Sequence, residues 1–216
     1  MFRRLYSMKV LSDQFRQSMS RVSQQAMILT SGTPHATPIN QLHGMTLGSV
    51  CSLSIYPKPV LQFNLHLPSY TSRELHSCRI CAIHILPPSA ESVHLLRIFA
   101  KGVKQDNQKE LVLGTSKEEI RDGRIFHEMT RPFEKLEQNE FRYHDVDDVK
   151  VPILNEAEIV FICKARENFK VDSHEIWVVD VVDILRGGDE KSGGGGGVLY
   201  YNRGFHSVGE SLKEIS

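Results

Sequence analysis

The chain has 216 residues, 40% of them hydrophobic, and its 26 basic and 26 acidic side chains give a formal net charge of zero. That length can bury the core of one large domain, and one domain is the economical reading. A neutral chain has no global field to draw in nucleic acid, and no apolar run approaches the roughly 20 residues of a bilayer-spanning helix, so neither nucleic acid nor a membrane span is expected.

At the amino terminus Arg3, Arg4, Lys9, Arg16 and Arg21 face a single acid, Asp13, with serines and apolar residues between them. This is the composition of a mitochondrial targeting segment, which would occupy residues 1–11, with the cytoplasm as the alternative address. Residues 12–23 then predict a short helix capped by Ser12. Strands are predicted over 26–31, 46–55, 60–67 and 80–86, with Pro57 and Pro59 forcing a turn between the second and third because proline lacks a ladder donor. Residues 89–103 predict a helix with Ala90, Val93, Leu96, Ile98 and Phe99 on its apolar face.

The stretch 104–149 is highly charged. An insertion is expected at about 104–131, and residues 117–121 and 133–136 read as solvated helical turns. Strands return at 157–164, 175–185 and 198–203. The glycine-rich loop 187–197 precedes a strand rather than a helix and lacks the lysine and hydroxyl of a phosphate loop, so it reads as a flexible connection. Many strands without regular intervening helices argue for a barrel. Cys78 and Cys81 have the spacing of half a zinc site, but no second pair exists and strand alternation would part them, so no metal site is expected.

Chemistry concentrates in residues 44–72. Thr46, Ser49, Ser52 and Ser54 alternate with Met45, Leu47, Val50, Leu53 and Ile55, while Gly44 and Gly48 permit close approach of a ligand to the backbone. Ser69, Thr71 and Ser72 follow Pro68 beside Arg73, a set that suits a phosphate cradle as well as an ordinary polar turn. Two further groups, Asp172-Ser173-His174 at a strand start and Arg203 with His206 near the last strand, would place hydrogen-bonding and cationic groups at one rim.

Gly44-Met45-Thr46, Ser49, Ser52-Leu53-Ser54, Pro57, Pro59, Phe63, Ser69 and Thr71 resemble the signature of the flavin reductase-like proteins, the FMN-binding split-barrel family. Met27 to Ser31, Ala82 to Leu86, and Leu199 to His206 fall in the family's order. The resemblance implies a mainly β, FMN-binding split β-barrel with a few peripheral helices over residues 12–209. It also implies an NAD(P)H-dependent flavin reductase, with FMN or alternatively FAD as cofactor.

On that resemblance the flavin would be held by Met45, Thr46, Leu47, Gly48, Ser49 and Ser52, with its phosphate on Ser69, Thr71 and Arg73. The nicotinamide nucleotide would be placed by His174, Arg203 and His206. His174 would position the hydride donor, and no side chain would act as acid or base. A homodimer with flavin near the subunit interface is implied as well. One departure stands out: the family sets Gly-Asp-His together, whereas Val171-Asp172-Ser173-His174 lacks the glycine and parts the acid from the histidine. That departure motivates the alternative of a split-barrel protein, with or without flavin, acting as an assembly factor without catalysis.

Overall fold

The computed structural model describes residues 2–34, 37–100, 103–105, 126–128, 131–187 and 196–211. Its elements run α1 (Phe2–Met19), β1 (Gln24–Ser31), β2 (Thr33–Pro34), β3 (Gly44–Leu47), β4 (Cys51–Ser54), β5 (Val60–His66), α2 (Tyr70–Cys78), β6 (Ile80–Ile85) and α3 (Ala90–Ala100). They continue with β7 (Val103–Gln105), β8 (Phe126–Glu128), β9 (Phe141–Val146), β10 (Val149–Leu154), β11 (Ile159–Val171), β12 (His174–Arg186), β13 (Val198–Tyr201) and β14 (Gly204–His206). One sheet runs β14-β13-β1-β6-β11-β12-β5-β4, with β3 joined to β1, and a smaller sheet runs β2-β10-β9. The large sheet does not close on itself. This is the mainly β, split-barrel-like class that the resemblance implies.

The central strands are buried on both faces, which is why their sequences read as apolar runs rather than alternation. Ala26 and Ile28 of β1, Ala82 of β6 and Val160 and Ile162 of β11 face a core shared with Leu95, Leu96 and Phe99 of α3 and with Val151 and Ile153 of β10. Met27 and Leu29, Cys81 and Ile83 point the other way, into a core with Phe63 and Leu65 of β5, Leu75 of α2 and Trp177 and Val179 of β12. Strand β1 is the shared wall, because it pairs with β13 through Gln24 to Ala26, with β3 along one edge and with β6 along the other.

Several expectations need correction. The expected strand over 46–55 is two strands, since β3 ends at Leu47 and β4, paired with β5, begins at Cys51. The polar stretch after Pro68 is the start of helix α2, with Ser69 as its cap: the Ser72 amide donates to Ser69 Oγ at 3.1 Å. Ser12 caps nothing, because α1 already runs from Phe2. Residues 133–136 begin in a 3-10 turn in which Glu134 and Lys135 are exposed, as expected, but Phe133 is fully buried against Phe99 and Phe141. Strands β9 and β10 occupy the end of the charged stretch that had been read without strands. The predicted turns at 117–121 and most of the glycine-rich loop lie outside the described residues. Helix α3 does begin where serine chemistry puts it, with the Ser92 amide donating to Ser89 Oγ at 3.0 Å.

Candidate functional site

The site starts from β3. Gly44 lies so close to β1 that an added Cβ would sit 2.6 Å from Leu29 O and 3.0 Å from the Phe99 ring, so only glycine lets β3 run beneath α3. Beyond β3, Gly48 and Ser49 turn the chain toward β4. Ser49 Oγ accepts from the Asn64 amide at 3.1 Å and lies 3.4 Å from Asn64 O, which ties this turn to β5. The Thr46 hydroxyl donates to Leu96 O of α3 at 2.7 Å. Both hydroxyls are therefore engaged by the fold, and the segment offers chiefly backbone to anything it holds.

Between these parts lies a cavity of about 380 Å³. Met45, Thr46, Leu47, Gly48 and Ser49 form one wall; Asn64 and His66 of β5 and His174 of β12 form another; Gln24, Phe99 and Ala100 complete it. Among the described residues its lining contains no carboxylate, lysine or arginine, and the two histidines are the ionisable groups in it.

His174 is placed by three constraints. Asp172 and Ser173 make the two-residue turn joining β11 to β12, with Asp172 at φ 50°, a left-handed conformation that glycine adopts without strain. The Leu67 amide donates to Ser173 O at 2.8 Å. The β5–β12 register then sets His174 directly opposite His66, their rings edge to face with centroids 4.9 Å apart. Burial, then the nearby His174 charge, lowers the pKa of His66 below its ordinary value.

On the opposite side of β12, Glu175 is buried and holds α2 in place. Ser72 Oγ donates to Glu175 Oε2 at 2.5 Å, and His76 Nε2 lies 2.8 Å from Glu175 Oε1. This anchors the helix whose first turn carries Ser69, Tyr70, Thr71 and Arg73. The Arg73 guanidinium lies over the Tyr70 ring, 4.8 Å from its centroid, and the other face of this cluster is His43, stacked on Tyr70 at 5.2 Å. His43 is buried, its Nδ1 has no hydrogen-bond partner among the described residues, and burial followed by the charges of Arg73 and Arg131 lowers its pKa to about 4.

Of the residues singled out from sequence, the cavity thus gathers Met45, Thr46, Leu47, Gly48, Ser49 and His174. Ser52 lies on exposed β4, while Ser69, Thr71 and Arg73 form the start of α2 and do not line the cavity. Arg203 and His206 are also absent from its lining; His206 Nε2 lies 3.1 Å from Tyr201 O within the β13–β14 hairpin. Sequence reading missed Gln24, Asn64 and His66, which reach the cavity through strand register, and Phe99, which reaches it from α3 packed over β3. Cys78 ends α2 while Cys81 lies in β6, and among the described residues no cluster of three or more His, Cys, Asp or Glu side chains could hold a metal. Nor is any described helix long and apolar enough to cross a membrane.

The model of the flavin reductase like domain family matches residues 19–209. The chain belongs to that family. It is 21% identical over 196 residues to the FMN reductase (NADH) RutF of Ancylobacter novellus, covering 91% of this chain and 84% of that one. Among solved structures, a flavin reductase domain protein from Arthrobacter sp. superposes with a TM-score of 0.65 at 20% identity, covering 94% of this chain and 99% of the other. The flavin reductase HpaC, solved in complex with NADP+, superposes with a TM-score of 0.58 at 20% identity, covering 91% of this chain and 97% of the other.

Proposed function

We propose that this protein is an NAD(P)H-dependent flavin reductase, with FMN as its flavin. The observation that supports this most is the single cavity in which the Met45 to Ser49 backbone meets His174. A flavin fits the residues present: Gly48 in the wall has no side chain to fill the cavity, and among the described residues the lining is mixed polar and apolar without a negative charge to repel a phosphorylated ligand. When bound, flavin would supply the acceptor for the nicotinamide hydride.

The chain's own part is positioning. Amides and carbonyls of residues 45–49 hold the ring system, and Ser49, locked to Asn64, keeps that wall rigid. Ser69, Thr71 and Arg73 at the start of α2 take the phosphate, where a helix amino terminus favours an anion. His174 sets the nicotinamide nucleotide against the flavin; with Arg203 and His206 outside the cavity, nucleotide placement rests on His174 in this reading. No side chain acts as general acid or base.

Two finer readings belong to the same proposal. The protein works as a homodimer: Leu53, Ile55 and Tyr56 on and beyond β4 are 54%, 84% and 88% exposed, an apolar edge that a second copy would cover. Residues 1–11, basic and part of α1, serve as a mitochondrial address.

Purified protein titrated with FMN should quench flavin fluorescence and oxidise NADH. His174→Ala should keep flavin binding and lose most turnover. Absence of flavin binding would overturn the proposal outright. Flavin binding without NADH oxidation would favour the reading as an interaction or assembly factor, for which the altered motif at Asp172-Ser173-His174 and the charged insertion at about 104–131 are the motivating features.

A further inference from the structure

We infer that His66 is a second nucleotide-binding residue, which acts with His174 as a paired imidazole clamp on the phosphates of the nicotinamide nucleotide. The inference rests on the flavin reductase reading and adds to it a residue, a ligand moiety and a pH dependence.

Three observations carry it. First, β5–β12 pairing sets His66 and His174 directly opposite each other with ring centroids 4.9 Å apart, and both line the cavity. Two imidazoles at that distance repel when both are protonated, so the pair is unfavourable for a cation and favourable for an anion that bridges them. Second, among the described residues the cavity lining holds no carboxylate that would compete for the protons, and its other polar side chains, Gln24, Thr46, Ser49 and Asn64, are neutral. Third, the backbone under the pair is fixed: Leu67, next after His66, donates its amide to Ser173 O, the residue before His174, which ties the two strand ends together.

Among the described residues the charged surroundings are few. Strands β3 and β5 bring no other ionisable group to the pair. Strand β12 brings Glu175, but on its far face, bonded to Ser72 and His76. The turn before β12 carries Asp172, and the first turn of α2 carries Tyr70, Arg73 and Glu74, with Arg73 over the Tyr70 ring and 3.6 Å from Glu74. In the free protein, burial and then the charge of His174 lower the pKa of His66 below its ordinary value. A bound diphosphate favours the protonated ring and opposes that shift, so binding takes up protons and tightens as pH falls toward the ordinary imidazole value of about 6.5.

The test uses the full chain and His66→Asn, which keeps a polar side chain of similar size. ADP-ribose, the phosphate-bearing part of the dinucleotide, is titrated calorimetrically in two buffers of different ionisation enthalpy. Wild type should take up a fraction of a proton; the variant should bind about tenfold more weakly, the scale of one charge-assisted hydrogen bond at a partly exposed site, with the uptake reduced. In turnover, the ratio of kcat/KM for NADH to that for N-benzyl-1,4-dihydronicotinamide, which has no phosphate, should fall about tenfold in the variant. A merely structural role would lower both substrates together and leave the ratio unchanged, which overturns the inference. So does equal ADP-ribose affinity in both proteins, pH-independent binding, or no binding to wild type. Flavin quenching, measured in parallel, separates the cases: if it persists, only the clamp has failed; if wild type binds no flavin, the underlying reading has failed with it.

Discussion

Acid should weaken this fold through His84, and the effect is separable from every other titration. His84 is fully buried on β6, where its Nδ1 lies 2.9 Å from Ile28 O of β1 and its Nε2 accepts from the Leu154 amide of β10 at 3.2 Å. This requires the neutral ring, with the proton on Nδ1. Burial, and to a lesser degree the Arg142 charge, lowers its pKa from 6.5 to about 4 against the raising effect of the Ile28 bond. Because the folded value lies below the unfolded one, the stability is fully present above about pH 6.5 and is lost as pH falls toward 4.

At about pH 5 the loss from this one residue is roughly 2 kcal/mol, approaching about 3 kcal/mol below pH 4. His84→Leu removes the titration but leaves the Leu154 amide without its acceptor, at a cost of about 2 kcal/mol at neutral pH. The variant should therefore be less stable than wild type at about pH 7.5 and nearly equal to it at about pH 5. His43, whose pKa is also lowered to about 4, titrates in both proteins and cancels in the difference. Urea unfolding read by the single tryptophan, the buried Trp177, at fixed protein concentration measures this. An undiminished gap at low pH would refute the reasoning.

Gly44→Ala and Gly48→Ala should part company. The first drives a Cβ into the Leu29 carbonyl at 2.6 Å and should lower stability by more than about 2 kcal/mol in thermal melts, while the second meets only the flexible end of Gln24 and should fold normally but alter flavin affinity in fluorescence quenching. Thr46→Val should cost about 1 kcal/mol of stability through its lost bond to Leu96 O and change flavin affinity little; a large loss of affinity would show that the hydroxyl meets the ligand instead. Glu175→Ala should destabilise by about 3 kcal/mol, since it leaves Ser72 and His76 without their acceptor, and Glu175→Gln should recover much of that in the same melts.

The fold was legible where burial on both faces writes itself into the sequence. Met27-Ile28-Leu29 and Ala82-Ile83 can hardly be anything but central strands, and Ser89 announces α3. Helix α2 was hidden because Ser69, Tyr70, Thr71 and Ser72 are turn-formers by composition, and what makes them helical is tertiary: Leu75 packed in the core and Ser72 and His76 tied to Glu175, a hundred residues away. Phe133 misled in the opposite sense, for charged neighbours suggested a solvated turn while two aromatic rings enclose its side chain.

For the site, composition pointed to the right segment for an incomplete reason. Hydroxyls drew attention to residues 44–54, yet Thr46 and Ser49 direct theirs at Leu96 and Asn64, so what the segment presents to the cavity is chiefly backbone. His66 carried no signal at all in its own neighbourhood. A histidine at the end of a strand acquires chemical meaning only from the residue across the ladder, and that partner is fixed by a turn at Asp172 more than a hundred positions later in the chain. Register, rather than residue type, turns two unremarkable strand ends into a histidine pair facing a cavity that has no acid among its described residues. A one-residue slip of β12 against β5 would point His174 away from the cavity and Glu175 into it, reversing the charge the site offers to an incoming phosphate.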